Sequence, residues 1–154
     1  MRPSLYPLED VMPHRGKMLL LDEIVEFDRE GEALTAAFHG RKEWRGGFAA
    51  IEYMAQAAAA LAGSADRDAR RTGAPKPGFL LGTRRMTVDG CVFEPGRRYL
   101  ARARKEFSDG EAASFACEVC DGEGHVLATA TLNAYRPDNI AGFVDARKSG
   151  KGMS

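Results

Sequence analysis

The stretch AAIEYMAQAAAALAG, residues 49–63, constrains the fold more than any other part of the chain. It has the composition of a helix, and almost every position is apolar or small. A helix without a wet side must be covered on most of its surface. The run is too short for a bilayer and is interrupted by Glu52 and Gln56, so no membrane span is expected. The remainder of the chain therefore has to supply a wrapper. Ala49, Ala50, Ala55, Ala57 to Ala60 and Ala62 let that wrapper approach closely.

The flanking sequence reads as that wrapper. MLLLDEIVEFD at 18–28 predicts a strand that starts fully buried and then alternates, and ALTAAFHG at 33–40 predicts a second. An irregular basic segment, RKEWRGG, leads to the helix, which the pattern extends from about Phe48 to about Arg71, with Gly73 as its stop. Four strands follow, roughly 79–89, 98–107, 113–121 and 125–135, separated by GCVFEPG, SDGEA and DGEG. Tyr99, Ala101 and Ala103 alternate with Arg98, Arg102 and Arg104, and the last two strands alternate likewise. Period two with one polar face means an antiparallel sheet with one side in water. The expectation is an α+β domain over residues 1–136, about six antiparallel strands wrapped around one long central helix. Residues 137–154 are expected to form a partly mobile tail.

Composition narrows the function classes. The chain has 154 residues with 22 Lys+Arg and 22 Asp+Glu, so overall charge does not favour nucleic-acid binding. The N-terminus has no apolar signal-peptide core. Three cysteines, Cys91, Cys117 and Cys120, argue against a disulfide framework and fit a reducing cytoplasm. Cys117 and Cys120 fall in a strand three residues apart, so they point to opposite faces. No second pair closes a zinc site.

Glu52 and Gln56 are the chemical anomaly. One helical turn separates them, so they share a face. A carboxyl held in a dry pocket has its proton affinity raised, which suits acid–base work near neutral pH, although the helix N-terminus opposes this. Gly46 and Gly47 leave the backbone N–H groups of the helix start open to a ligand carbonyl. The plainer alternative is that Glu52 caps the first turn or pairs with Arg41 or Arg45.

LEDVMPHRGKMLLLDEIVEF together with GGFAAIEYMAQ resembles the 3-hydroxyacyl-[acyl-carrier-protein] dehydratases of hot-dog fold, over roughly residues 8–135. IEYMAQA with GFLLGTRRM is similar to one branch, the ApeP-like dehydratases associated with aryl polyene biosynthesis. The resemblance implies dehydration of a 3-hydroxyacyl thioester to the trans-2-enoyl thioester. The substrate is carried on the phosphopantetheine of acyl carrier protein, and no metal is needed. It implies that Glu52 is the catalytic carboxyl, that the Gly47 N–H polarises the thioester carbonyl, and that Gln56 supports the site.

One departure matters. The family's catalytic histidine stands in Gly-His-Phe-Pro, fourteen residues before the glutamate, where this chain has Phe38. His39, one residue on, is the first candidate for the base. His14, in the Pro13-His14-Arg15 segment, is the second. A hydrogen-bonded structural role is the alternative for either. Trp44 is expected to wall the acyl tunnel or to anchor a dimer contact. Arg41, Lys42, Arg45, Arg84, Arg85, Arg97 and Arg98 form either a docking rim for an acidic carrier protein or a solvated face. A homodimer is expected, or a heterodimer with another hot-dog subunit. A hot-dog thioesterase and a catalytically silent subunit are the competing functions.

Overall fold

The structure is a computed structural model and describes residues 5–69, 79–88, 92–110 and 112–135. The expected tail at 137–154, the expected helix end at Arg71, the loop at 73–78 and Cys91 lie outside the described residues.

A single long helix, α2 (Ala49–Asp68), lies against a six-stranded antiparallel sheet. The strands are β1 (Glu23–Asp28), β2 (Ala33–His39), β3 (Phe79–Val88), β4 (Arg98–Asp109), β5 (Ala112–Asp121) and β6 (Val126–Tyr135). Their spatial order is β1-β2-β4-β5-β6-β3, so the strands before and after the helix meet where β2 pairs with β4. Leu34, Ala36, Phe38, Tyr99, Ala101, Ala103, Phe115, Cys117, Val119, Ala128, Ala130 and Leu132 turn inward and form one core with the helix. Alanines at the inner β4 positions, Ala101 and Ala103, face a helix rich in alanine, which is how strand and helix backbones come close.

The helix is not covered all round. Tyr53, Met54, Gln56, Ala57, Ala60 and Leu61 are buried, whereas Ile51, Glu52, Ala55, Ala59 and Ala62 are only half-buried. One flank is therefore left partly open in the single chain.

Two features differ from the sequence expectation. The first strand was expected from residue 18, but pairing begins at Asp22, whose N–H donates to the Ala37 carbonyl at 2.8 Å. Residues Gly16–Met18 form a 3-10 turn instead. Side chains have taken the backbone groups that a ladder would use: Gln56 bonds the Leu20 N–H and the Met18 carbonyl, and Arg41 bonds the Leu19 carbonyl. The second feature is α1 (Leu8–Val11), which buries Leu8 and Val11 against α2. Gly63 permits this, since a Cβ there would overlap the Val11 carbonyl.

Candidate functional site

Gln56 sits at the centre of the site. Its side chain is fully buried. Its Nε2 donates to the Met18 carbonyl at 2.7 Å and to Glu52 Oε1 at 3.1 Å, and its Oε1 accepts from the Leu20 N–H at 2.9 Å. A buried amide is costly when its groups go unpaired, and here both ends are used. One side chain thereby fixes the segment after residue 16 to the helix and fixes one oxygen of Glu52. The spacing of four residues that puts the two on one face is what makes the second bond possible.

Glu52 is half-buried and lies on the partly open flank. Among the described residues it forms no ion pair with Arg41 or Arg45, which removes one part of the plainer alternative. Arg41 is committed elsewhere, to the Leu19 carbonyl at 3.0 Å and to Asp22 at 4.0 Å. The helix start carries no side-chain cap. Its first turn is closed by the Gly46 and Gly47 carbonyls, which accept from Ala49 and Ala50. The absent Cβ of Gly46 lets the Phe48 ring fold over it, and that ring is 71% exposed. Trp44 is half-buried against the core, with its carbonyl 3.4 Å from the Tyr53 hydroxyl.

The two candidate histidines end in unlike places. His39 follows Phe38 on β2, and neighbouring strand residues face opposite ways. Phe38 points into the core and stacks on Tyr53 at 3.7 Å between centroids. His39 therefore faces out, and its Nδ1 lies 2.7 Å from Asp22 Oδ2. Among the described residues no hydrogen bond or ion pair joins it to Glu52.

His14 is half-buried, and its Nδ1 is enclosed without a hydrogen-bond partner. Burial pushes its proton affinity below the usual imidazole value. The Glu52 carboxylate pulls the other way, and the Arg15 charge adds to the lowering. Glu52 and His14 are thus near enough to sense each other through space, yet among the described residues no ion pair joins them. The result is a neutral imidazole and a carboxyl that are neighbours without being bonded. A neutral imidazole can accept a proton and a carboxyl can exchange one, the equipment for general acid–base chemistry.

Other expected groups are quieter. Cys117 belongs to the core while Cys120 contacts Glu118 and Arg102 on the opposite sheet face. Burial pushes the Cys117 thiol up to about 12, and burial with the Glu118 contact pushes Cys120 up to about 11, so neither is a thiolate nucleophile at neutral pH. His125 bonds Asp121 on the β5–β6 turn. Arg97 pairs with Asp121 at 3.5 Å, whereas Lys42, Arg45 and Arg98 are exposed and make no ion pair among the described residues. Sequence reasoning placed Arg15 in the Pro13-His14-Arg15 segment but missed its bonds to the Glu9, Met12 and His14 carbonyls, and missed Gly63 beneath the Val11 carbonyl. Neither contact leaves a periodic signal.

A six-stranded antiparallel sheet wrapped on one long helix defines the hot-dog class. The chain belongs to the ApeP-like family, described as ApeP dehydratase, which it matches over residues 6–145. It is similar in structure to the dehydratase heterocomplex ApeI:P from Xenorhabdus doucetiae, with a TM-score of 0.77, 23% identity, and coverage of 89% of this chain and 95% of that one. A hypothetical thioesterase from Streptococcus pneumoniae TIGR4, solved with coenzyme A, shares the fold at a TM-score of 0.57 and 11% identity, covering 75% and 84% of the two chains. A mutant of the phenylacetic acid degradation protein PaaI from Thermus thermophilus does so at 0.51 and 18% identity, covering 75% and 92%. No curated protein matches the sequence. Among the described residues no helix is long and apolar enough to cross a membrane.

Proposed function

We propose that this chain dehydrates a 3-hydroxyacyl thioester, carried on acyl carrier protein, to the trans-2-enoyl thioester of fatty acid or polyene biosynthesis. The observation that carries the reading is the Glu52 carboxyl, tied through Oε1 to Gln56 and neighboured by the neutral His14. In this reading the thioester carbonyl lies at the uncapped helix start and accepts from the Gly47 N–H, which stabilises negative charge developing on oxygen. His14 takes the C2 proton, Glu52 in its protonated form gives its proton to the C3 hydroxyl, and water leaves as the C2–C3 double bond forms. Phe48 and Met18, 71% and 54% exposed, offer apolar surface near the two ends of the site for the acyl chain. Lys42 and Arg45, just before the helix start, suit an acidic carrier.

A second reading also has support. The partly open flank of α2 carries Glu52, and the similar ApeI:P structure is a heterocomplex. In this reading the chain is a subunit whose site is closed by another hot-dog protein, with His39 or a partner group acting instead of His14.

The test is to incubate the purified chain, alone and with a hot-dog partner subunit, with a 3-hydroxyacyl-carrier-protein thioester. Enoyl absorbance and free thiol are followed together. Enoyl without thiol from the chain alone supports the first reading, and enoyl only with the partner supports the second. Thiol release in place of enoyl overturns both in favour of a thioesterase.

A further inference from the structure

Beyond Glu52, Gln56 and the histidines, Arg15 organises the backbone around it. Its guanidinium gathers three backbone carbonyls. Nη1 donates to Met12 at 2.5 Å and to His14 at 2.7 Å, and Nη2 donates to Glu9 at 2.8 Å. The end of a short helix leaves carbonyls without partners. Here the Met12 N–H closes back on Leu8 alone, and Arg15 takes the carbonyls of Glu9 and Met12. The chain then turns at Gly16, whose φ of +59° suits glycine. A Cβ at position 16 would meet nothing, so the glycine is there for its backbone angle and not for space.

We propose that Arg15 is a positioning residue that folds segment 9–15 onto itself and so holds the His14 imidazole near Glu52. The inference rests on the His14–Glu52 reading given above. Three restraints act on this one segment. Gly63 admits the Val11 backbone onto the helix, Gln56 pins residues 18 and 20, and Arg15 closes the stretch between. Without the third, Pro13 and His14 lie in a loop fixed only at its ends. A guanidinium has five donors in a rigid planar fork, whereas an ammonium presents three donors from one atom. Lysine would therefore replace the charge and lose the geometry.

The experiment uses the full chain with Arg15→Lys and Arg15→Gln. The His14 imidazole is followed by NMR, its signal identified by loss in His14→Asn, over roughly pH 4 to 8, the range that brackets imidazole titration. Dehydration is measured in parallel. In the parent chain His14 is expected to titrate below its usual 6.5, because burial disfavours the charged ring. Arg15→Gln is expected to raise the midpoint through the lost Arg15 charge as well as the lost seat, so Arg15→Lys, which keeps the charge, carries the support: its midpoint is expected to move back toward that value because the ring loses its buried seat. Turnover of both variants is expected to fall on the order of 10²-fold, as for misplaced catalytic groups. An unchanged His14 midpoint in Arg15→Gln overturns the proposal whatever the activity does. Full recovery of midpoint and rate in Arg15→Lys also overturns it, since charge alone would then suffice. If Arg15→Gln does not fold, the Arg15→Lys midpoint decides. Retained turnover in Glu52→Gln would sink the site reading instead, while leaving the NMR result on Arg15 in force.

Discussion

Two histidine segments flank the same core, and the fold treats them in opposite ways. Phe38–His39 stands where the dehydratase histidine is expected, yet the inward position is taken by Phe38, packed with Tyr53, Phe93 and Tyr99. His39 is turned to solvent and joined to Asp22. Pro13–Arg15 lies outside the sheet, and its histidine is half-buried, unbonded at Nδ1 and under the influence of Glu52. Proximity in sequence to an expected motif decided less than which face of a strand a residue occupies. A one-residue offset on β2 moves an imidazole from the core side to the wet side.

Four experiments put that contrast at risk. The largest expected effect belongs to Glu52→Gln, which keeps shape and removes the proton donor. Enoyl formation should fall roughly 10³-fold, in the range for loss of an acid–base group, with an unchanged melting temperature. Next comes the pair His14→Asn and His39→Asn. The first should lose about 10²-fold in turnover or more, and the second should stay within about threefold. The stability of His39→Asn should change by no more than about 1 kcal/mol, since its partner is an exposed carboxylate. The reverse ranking in a steady-state assay would invert the comparison and favour closure of the site by a partner.

A smaller effect is expected for Gly63→Ala. The added methyl overlaps the Val11 carbonyl, so unfolding in urea should show a loss of about 1–3 kcal/mol from overpacking. The smallest is a pH effect. The folded-state proton affinity of His14 is lowered by burial from the usual 6.5, so near and below that pH the unfolded chain binds its proton more readily than the folded one. The stability contribution is then complete above the unfolded value and declines as pH falls toward the lowered folded value. His14→Asn should flatten that part of the stability curve, measured as urea midpoints at matched ionic strength.

The sheet, its antiparallel order and the central helix were legible because alternation on β4 to β6 and the alanine-rich helix are strong periodic signals. Glu52 beside Gln56 was legible for the same reason, as a spacing on one face. The start of β1 was not, because MLLL reads as buried strand while three of its backbone groups are in fact bonded by Gln56 and Arg41. Nor could spacing decide between His14 and His39. Their difference lies in tertiary neighbours, Glu52 for one and Asp22 for the other, which no local pattern encodes. Ile51, Ala55 and Ala59 lie on the partly open flank of α2.

The backbone-on-backbone seat of Val11 over Gly63 has an evolutionary consequence. A side chain cannot be gained at position 63 unless the segment around Val11 shifts away, and that segment carries one of the two groups proposed for the chemistry. Drift in the second half of the helix is thus constrained by a histidine near the amino terminus, far from it in sequence, and the two stretches are expected to change together across descendants of this chain or not at all.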